Sequence, residues 1–445
     1  MTHPKISVPS GNKSTMSNAG WVKILVVLII AVSGLLPPIL YWFCIGSAPT
    51  INAERAVELL SMEGSSAILV DMRDSSAFES EHLEGAVNWP YRDIMALESK
   101  DDVPEQYGNK TLLMICSSGL ESAVAARKLR KISNIDAYSI KGGIQEWIGV
   151  AKGGCSQRFC SFQTASGETR PLPYREASFF EQLMACVAAF GAKPAYMLLS
   201  FMLAVIMRRL KSHDMVALRW AFIFFFIGEG FCAINYIFLS EDSYLVEYLH
   251  SFGMVLAFGF TTFAFFEGVD LRLVKYSDAN EKCAAIPLCG ACIKYTDVPC
   301  GFKRAFLWLI PSVAALSFIP LLASLHTDSY NTDIFGTLYN YSHPVIFQIF
   351  ETRYAPILTI VFSAIAYFTL RLRGNNSILL AKIFFAAAAG FLGFSMFRLI
   401  LFGVYRDNML WYVCWEEFTE FLYIGFAAIV LWIFHGRLFA EDGNQ

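Results

Sequence analysis

Long apolar runs constrain this chain more than any other feature, because most of them reach the roughly 20 residues that a helix needs to cross a bilayer. In lipid, every backbone N–H and C=O must be paired within its own segment, so these runs are predicted to be transmembrane helices. Only 16% of the 445 residues are charged, whereas soluble domains average about a quarter. The eight predicted spans are residues 21–46, 179–207, 216–239, 244–266, 306–325, 355–370, 378–404 and 411–434.

The first run, residues 21–46, has the composition of either a cleaved signal peptide or a permanent membrane anchor. Signal peptides have a shorter apolar core, which is followed by a cleavage site of small residues. The run in this chain is longer than such a core, and no cleavage site follows it cleanly. We therefore expect an anchor.

Lysine and arginine are concentrated in every second predicted loop, and by the positive-inside rule this predicts the orientation of the chain. Basic residues occupy the N-terminal tail and the loops after the second, fourth and sixth runs, whereas residues 240–243 contain only the acids Glu241 and Asp242. Eight spans with both termini in the cytoplasm fit this alternation. Residues 47–178 then lie outside the cytoplasm, which predicts a multi-pass inner-membrane protein with a periplasmic insert.

These assignments divide the chain into a soluble insert and a membrane domain. The small net charge of −3 argues against a nucleic-acid partner, which selects clustered positive charge, and leaves the lipid bilayer as a partner. The predicted parts are a cytoplasmic tail (1–20), an anchor (21–46), the insert (50–150), a linker with two cysteines (151–178), a seven-helix membrane domain (179–434) with a cytoplasmic four-cysteine loop (268–303), and a cytoplasmic tail (435–445).

Residues 50–150 differ in character from the rest of the chain, because charge rises there and the apolar runs shorten. Short buried-strand patterns at 67–70 and 111–115 are followed by helical periodicity at 122–131. Strands that alternate with helices indicate a parallel α/β sheet. The predicted fold class is therefore a polytopic α-helical membrane protein with about eight transmembrane helices and an inserted α/β domain.

Cys116 lies where the predicted strand 111–115 runs into a small polar loop and then into a helix. In this arrangement loop N–H groups converge on the sulfur, and the start of the helix adds positive potential. Both effects favour the thiolate, which is the reactive form, and the loop can also hold an anionic sulfur adduct. The residues that follow the cysteine are Ser117, Ser118, Gly119, Leu120, Glu121 and Ser122.

Four motifs follow one another through this insert: residues 68–73 (ILVDMR), 82–90 (HLEGAVNWP), 116–122 (CSSGLES) and 141–147 (KGGIQEW). In content and order they resemble the rhodanese-like sulfurtransferase family, over nearly a quarter of the chain. The resemblance implies that Cys116 attacks a small sulfur donor, carries the sulfur as a persulfide and passes it to a thiol acceptor. It also implies that residues 117–122 surround that sulfur.

The loop departs from the family pattern at Glu121, where the family usually has arginine. The loss of a cation and the gain of an anion should repel an anionic donor such as thiosulfate and should stabilise the thiolate less. Two interpretations remain open. Either Cys116 still carries a persulfide, or the fold is kept as a binding module without catalysis.

Cys155 and Cys160 follow the insert on the predicted outer side. Their spacing can close a small disulfide loop, which an oxidising periplasm permits. Alternatively, they form a dithiol that accepts sulfur from Cys116 by thiol exchange. The sequence leaves both interpretations open.

A second group of cysteines has the pattern C-x5-C-x2-C-x7-C in the predicted cytoplasmic loop. Four thiolates suit tetrahedral Zn²⁺, and C-x2-C is a recurrent half-site for that ion. An iron–sulfur cluster would use the same ligands, and a loop without metal is a third alternative. The four residues are Cys283, Cys289, Cys292 and Cys300.

Ionisable residues at membrane depth are costly, so each is expected to have a partner or a function. We predict a polar cavity that opens outward, in which Lys193 or Arg398 is paired with Glu229 or Glu420. This cavity is either a path for an anion, a proton or a sulfur species, or a set of ion pairs that only fixes helix packing. The candidate residues are Lys193, Glu229, His250, Arg398, Glu416 and Glu420.

Three functional hypotheses follow from these features. The first is a membrane-bound sulfurtransferase that carries sulfur on Cys116 outside the cytoplasm. The second is a transporter for a small sulfur-containing or other anion, with the insert as an accessory domain. The third is a sensor or assembly protein in which an inactive insert and a cytoplasmic zinc loop serve as contacts. The bundle from residue 178 onward resembles no family that the sequence identifies.

Overall fold

The computed structural model describes residues 15–43, 48–153, 158–239, 243–274, 301–371 and 377–442. A first helix, α1 (Thr15–Tyr41), precedes an α/β domain, and a bundle of helices follows it. Cys155 and the four cysteines of the predicted zinc loop lie outside the described residues. The proposed metal at that loop therefore stays a prediction.

The α/β domain is built on a five-stranded, entirely parallel sheet, as the alternation of strands and helices predicts. The strands lie in the order β1-β6-β5-β2-β4. Their bounds are β1 (Thr50–Ile51), β2 (Ala67–Asp71), β4 (Val87–Asn88), β5 (Thr111–Ile115) and β6 (Ala137–Ile140), with β3 (Glu81–Leu83) in a second sheet. The helices of the domain are α2 (Ala53–Ser61), α3 (Ser75–Ser80), α4 (Tyr91–Ala96), α5 (Leu120–Ser133) and α6 (Gly143–Trp147).

Both faces of this sheet are covered by apolar side chains, which explains why β2 and β5 are continuous apolar runs. Successive strand residues point to opposite faces. Val70 and Met114 therefore pack in one cluster with Leu129 of α5, whereas Leu69 and Leu113 pack in another with Trp147 of α6. The sheet thus has a buried core on each side, and its polar residues are left for the strand ends.

The segment predicted as a linker contributes two strands to the domain. These are β7 (Ser161–Thr164) and β8 (Thr169–Pro171), which form an antiparallel three-stranded sheet with β3. Leu83 of β3 lies opposite Phe162 of β7, and both side chains are buried. The folded unit therefore extends beyond residue 150.

Among the residues that the structure describes, six helices of the bundle are long and apolar enough to cross a membrane. The described part of the chain also has shorter apolar helical segments at Leu28–Tyr41 and Phe306–Leu321, so the predicted count of about eight spans is not confirmed. The bundle helices are α7 (Phe179–Arg209), α8 (His213–Phe238), α9 (Tyr244–Gly268), α10 (Gly301–Leu316), α11 (Phe318–Leu321), α12 (Val345–Arg371), α13 (Ser377–Tyr405) and α14 (Met409–Asp442).

A β-hairpin between α11 and α12 connects the bundle to the α/β domain. Its strands are β9 (Tyr330–Ile334) and β10 (Thr337–Tyr341), joined by a two-residue turn in which Phe335 and Gly336 both have positive φ. Asn331 is buried, and its side-chain amide donates a hydrogen bond of 2.7 Å to the carbonyl oxygen of Ile148. The hairpin therefore fixes one end of the bundle against the domain.

Candidate functional site

Cys116 occupies the carboxyl end of β5, close to the middle of the parallel sheet. The neighbouring strands β2 and β6 end at the same edge, because Ile115 pairs with Asp71 and Met114 pairs with Ser139. In open α/β sheets this edge is where ligands bind. The cysteine therefore lies where the topology gathers the loops of three strands.

The sulfur of Cys116 is surrounded by the loop that follows it, as the sequence predicts. The backbone N–H of Gly119 donates to Sγ over 3.2 Å, and the hydroxyl of Ser122 lies 3.5 Å from the same atom. Ser122 is itself held by a 2.8 Å hydrogen bond to Ser139. Because α5 begins at Leu120, Sγ also lies near the positive end of that helix. A second sulfur atom bonded to Sγ would lie among the same hydrogen-bond donors.

Two glycines behind the loop fix its shape. The N–H of Ile144 donates to the carbonyl oxygen of Cys116 over 2.9 Å, which ties the loop to the start of α6. Gly143 has φ +62°, and a Cβ atom at this position would lie 2.2 Å from the same oxygen. Gly142 also has positive φ. Gly143 is therefore required for close approach to the cysteine loop, and Gly142 for the left-handed backbone conformation that precedes it.

A shallow groove lies over this loop and presents charges of both signs. Arg73 and Arg92 line it together with Ser117 and Glu121 of the loop, and Asp74 lies at the same groove. Cys116 itself is fully buried. The groove is therefore nearly neutral, because Asp74 and Glu121 offset the two arginines.

Asp71, Arg73 and His82, the other polar residues of the motifs, hold the scaffold. Asp71 is buried and pairs with Arg73 at 2.7 Å, and Arg73 also donates to the carbonyl oxygen of Glu81. His82 contacts the carbonyl oxygen of Phe78 at 2.8 Å through Nδ1 and stacks on the ring of the same residue. No polar atom of these residues is brought to the sulfur of Cys116 by the contacts described above.

The remaining described cysteines fall into two groups. Cys160 is disulfide-bonded, which agrees with the disulfide interpretation, whereas its predicted partner Cys155 lies outside the described residues. The described thiols that are free are Cys116, Cys186, Cys232 and Cys414. The sulfur relay through Cys155 and Cys160 stays an untested prediction.

The fold and the loop define a parallel α/β domain with one cysteine held by backbone amides at the carboxyl edge of its sheet. A family model described as Rhodanese-like domain matches residues 53–149. The thiosulfate sulfurtransferase GlpE of Pseudomonas syringae pv. syringae is 36% identical over 81 residues, which are 18% of this chain and 72% of that protein. The chain belongs to the rhodanese-like family through this domain, as its motifs predict.

Two further relatives differ in how much of them is matched. The uncharacterized protein YqhL of Bacillus subtilis is 31% identical over 84 residues, which are 19% of this chain and 63% of YqhL. The tRNA uridine(34) hydroxylase of Buchnera aphidicola is 31% identical over 94 residues, which are 20% of this chain and 30% of that enzyme. The segment that the family model matches ends at residue 149, so the bundle lies outside it.

A cluster of buried charges lies in the bundle around Lys193, immediately after a π-helical turn at Val187–Ala192. The Lys193 ammonium is 2.9 Å from Glu229 and 2.7 Å from Glu417. The hydroxyl of Tyr196 lies 2.7 Å and 2.6 Å from oxygens of the same two carboxylates. The predicted pairing of Lys193 with Glu229 is therefore present. The acid Glu417 at the start of the last span is visible in the sequence, but its contact with Lys193 and the role of Tyr196 were not predicted.

A second cluster surrounds Arg398. Its guanidinium lies 3.0 Å from Glu351, forms an ion pair with Glu416 and is 3.1 Å from the hydroxyl of Tyr412. His343 contacts Glu351 at 2.9 Å. Arg398 therefore pairs with Glu351 and Glu416, not with Glu229 or Glu420 as predicted. The sequence signal for Glu351 was its position as the one acid in the first turns of α12.

The two clusters contain more acids than bases. Around Lys193 lie Glu229, Glu417 and Glu420, all buried, and Oε2 of Glu420 has no hydrogen-bond partner among the described residues. An anion at this place would meet three carboxylates and an ammonium already bonded to two of them. The arrangement therefore does not favour the predicted anion path.

Proposed function

We propose that this chain is a membrane-bound sulfurtransferase-like protein that carries sulfane sulfur as a persulfide on Cys116. The observation that carries the proposal is the 3.2 Å contact from the Gly119 amide to Sγ of Cys116, within the matched family segment. Its relatives named thiosulfate sulfurtransferase support the same class of chemistry. An amide-lined loop at a helix start suits a sulfur anion.

In the first half-reaction, the Cys116 thiolate attacks the outer sulfur of a donor persulfide. A new S–S bond forms to Sγ, the donor S–S bond breaks, and the donor leaves as a thiolate. In the second half-reaction, an acceptor thiolate attacks the outer sulfur and Cys116 leaves as a thiolate. The transferred sulfur keeps its oxidation state, so no external oxidant or reductant is needed.

The groove supports a donor of low charge. Arg73 and Arg92 are opposed there by Asp74 and Glu121, and Arg73 is already bonded to Asp71. A dianion such as thiosulfate gains little from a surface whose charges cancel. We therefore expect cysteine persulfide, which carries a smaller net negative charge, to be a better donor than thiosulfate.

The contacts of the hairpin support the membrane topology that the basic loops predict. Residues 330–341 lie against the α/β domain, so both are on one side of the bilayer, opposite to the end of α9 near residue 268. The chain between these two points must then cross the bilayer, and α10 with α11 is the segment available. We propose that the domain is extracytoplasmic, with α10 and α11 as one interrupted span.

The sulfur chemistry is tested by mass spectrometry of the full chain in detergent after exposure to cysteine persulfide, polysulfide or thiosulfate. We expect one added sulfur on the peptide that contains Cys116. Cys116→Ser should lose the adduct, and the matched control Cys186→Ser should retain it, because Cys186 is a free thiol in α7. A folded wild-type chain that takes sulfur from none of the three donors would overturn the proposal.

The topology is tested with a membrane-impermeant maleimide on whole cells. A cysteine introduced at the exposed Glu63 of the α/β domain should react from outside. A cysteine introduced at the exposed Arg209, at the far end of α7, should react only after the cells are lysed. The reverse pattern would place the domain in the cytoplasm and refute this part of the proposal.

A further inference from the structure

The groove over the cysteine loop is built by three strands that lie side by side in the sheet, in the order β5, β2 and β4. Its polar lining includes Asp74 after β2, Arg92 after β4, and Ser117 and Glu121 after β5. Because Ser117 directly follows Cys116, a ligand in the groove lies beside the cysteine loop. The volume of about 300 Å³ is at the lower end of the roughly 300–1,000 Å³ of small-molecule sites, which suits a molecule the size of one amino acid.

Three charged side chains of the groove are available to a ligand. Arg92, Asp74 and Glu121 are exposed, and none of them forms an ion pair with another residue in the part of the chain that the structure describes. Arg73 differs from them, because its guanidinium is held by the buried carboxylate of Asp71 at 2.7 Å. The groove therefore offers one unengaged cation and two unengaged anions.

A ligand that carries both a carboxylate and an ammonium group complements these charges. A guanidinium binds a carboxylate through two parallel hydrogen bonds, and a carboxylate accepts hydrogen bonds from an ammonium group. An α-amino acid has both groups on one carbon, and in cysteine persulfide this carbon is bonded to the carbon that bears the sulfur. A donor with negative charges only would be attracted by Arg92 but repelled by Asp74 and Glu121.

We propose that the groove binds cysteine persulfide by its amino-acid end, with Arg92 on the α-carboxylate and Glu121 on the α-ammonium group. The inference rests on the proposed sulfur transfer to Cys116 and names the donor of that reaction. Asp74 adds a second negative charge for the ammonium group. Glu121 stands where the rhodanese-like family usually has arginine, and a donor that carries an ammonium group is a physical reason for glutamate at this position.

The transfer from this donor is balanced. The Cys116 thiolate attacks the outer sulfur of the persulfide, a bond forms between Sγ and that sulfur, and the S–S bond of the donor breaks. Any proton on the outer sulfur moves with it to Cys116. The rest of the donor leaves as the thiolate of free cysteine and takes a proton from water.

The test compares three persulfides as donors to the full chain in detergent, with the rate of sulfur loading of Cys116 followed by quenching and mass spectrometry. The donors are the persulfides of L-cysteine, of cysteamine, which lacks the carboxylate, and of 3-mercaptopropionate, which lacks the ammonium group. Each variant is compared with the wild type for the same donor, so differences in the intrinsic reactivity of the donors cancel.

Arg92→Gln should slow loading about fivefold from the two donors that have a carboxylate, because one exposed ion pair contributes up to about 1 kcal/mol. Its rate with cysteamine persulfide should be unchanged. Glu121→Gln should slow the two donors that have an ammonium group, to a smaller extent because Asp74 remains. The matched controls Lys131→Gln and Glu63→Gln are at exposed positions outside the groove and should change no rate.

Rates that both groove variants leave unchanged, or lower equally for all three donors, would refute the assignment of the donor while the sulfur chemistry of Cys116 stands. If Cys116 accepts sulfur from none of the donors, binding decides instead. The unreactive thioether S-methyl-L-cysteine should bind Cys116→Ser in calorimetric titration, and about fivefold more weakly when Arg92→Gln is added. Equal binding, or no binding, in these two variants would also contradict the inference.

Discussion

In the α/β domain the reactive side chain is held by backbone atoms, whereas in the bundle the buried charges are held by one another. Cys116 is bounded by the amide of Gly119 and fixed through the amide of Ile144. Lys193 and Arg398 instead depend on carboxylates from other helices. A site formed by backbone atoms should tolerate many side-chain substitutions but not a substitution of its glycines. A cluster of buried charges should instead be destabilised when a single charged side chain is removed.

Removal of a buried cation from the bundle should have a large effect on stability. Arg398→Ala would leave Glu351 and Glu416 without their shared partner, and Arg398 is only 2% exposed. Removal of one member of a buried ion pair typically costs about 3–5 kcal/mol. We expect a loss of that size in the free energy of unfolding, measured by denaturant titration of the full chain in detergent.

The matched control is Arg406→Ala, immediately after the helix α13 that carries Arg398. Arg406 pairs with Asp407 at 3.1 Å, and its side chain is 56% exposed. Exposed pairs contribute no more than about 1 kcal/mol, so this variant should be nearly as stable as the wild type. Equal losses in the two variants would mean that the Arg398 cluster does not stabilise the bundle.

The equivalent change in the domain is at a glycine. In Gly143→Ala the new Cβ would lie 2.2 Å from the carbonyl oxygen of Cys116 and 2.6 Å from the Gly119 nitrogen, at φ +62°. Overpacking and backbone strain together should cost roughly 3 kcal/mol. In limited proteolysis, the domain should be cleaved at a lower urea concentration than in the wild type. Sulfur loading of Cys116 should also fall sharply.

Gly167→Ala provides the control, because Gly167 also has positive φ but its Cβ would meet no atom within 4 Å. It should lose only the roughly 1–2 kcal/mol of the left-handed conformation and keep full sulfur loading. If both variants lost the same stability and the same sulfur, close packing behind the cysteine loop would not be the reason for Gly143.

These contrasts also explain what could be predicted from the sequence. The cysteine loop is local: Cys116, Gly119 and Ser122 lie within one motif, so their proximity follows from the strand–loop–helix order. The glycines at 142 and 143 belong to a distant motif, and it is the structure that places this motif beside the loop. The fold of the domain and the cysteine loop could therefore be predicted from the residues together with the resemblance, whereas the support behind the loop could not.

The structure of the bundle could be predicted from the sequence only in part. The apolar runs gave the helices, but Lys193 and Glu417 are more than 200 positions apart, and their contact depends on which helices pack together. The same reason applies to Lys382, which is buried and lies 2.9 Å from Glu267. The hairpin had a local signal that was missed, since Gly336 lies between two runs rich in Tyr, Thr and Asn.

The charge of the cysteine loop is expected to have a modest effect on the choice of sulfur donor. Glu121 stands where the rhodanese-like family usually has arginine. Glu121→Arg would replace an anion in the groove by a cation beside Arg73 and Arg92. We expect kcat/KM for thiosulfate to rise about tenfold, or about 1.4 kcal/mol, because the dianion is then attracted to the loop. Steady-state assays at increasing salt should show this gain shrinking, because screening weakens interactions between exposed charges.

The control for this variant must carry the same change in net charge elsewhere. Glu63→Arg does so at an exposed position that does not line the groove. If it raised the thiosulfate rate as much as Glu121→Arg, the effect would come from the overall charge of the domain and not from the loop. If neither variant changed the rate although Cys116 accepts persulfide sulfur, the donor would reach the buried thiol by a route other than the groove, and Glu121 would not explain any preference among donors.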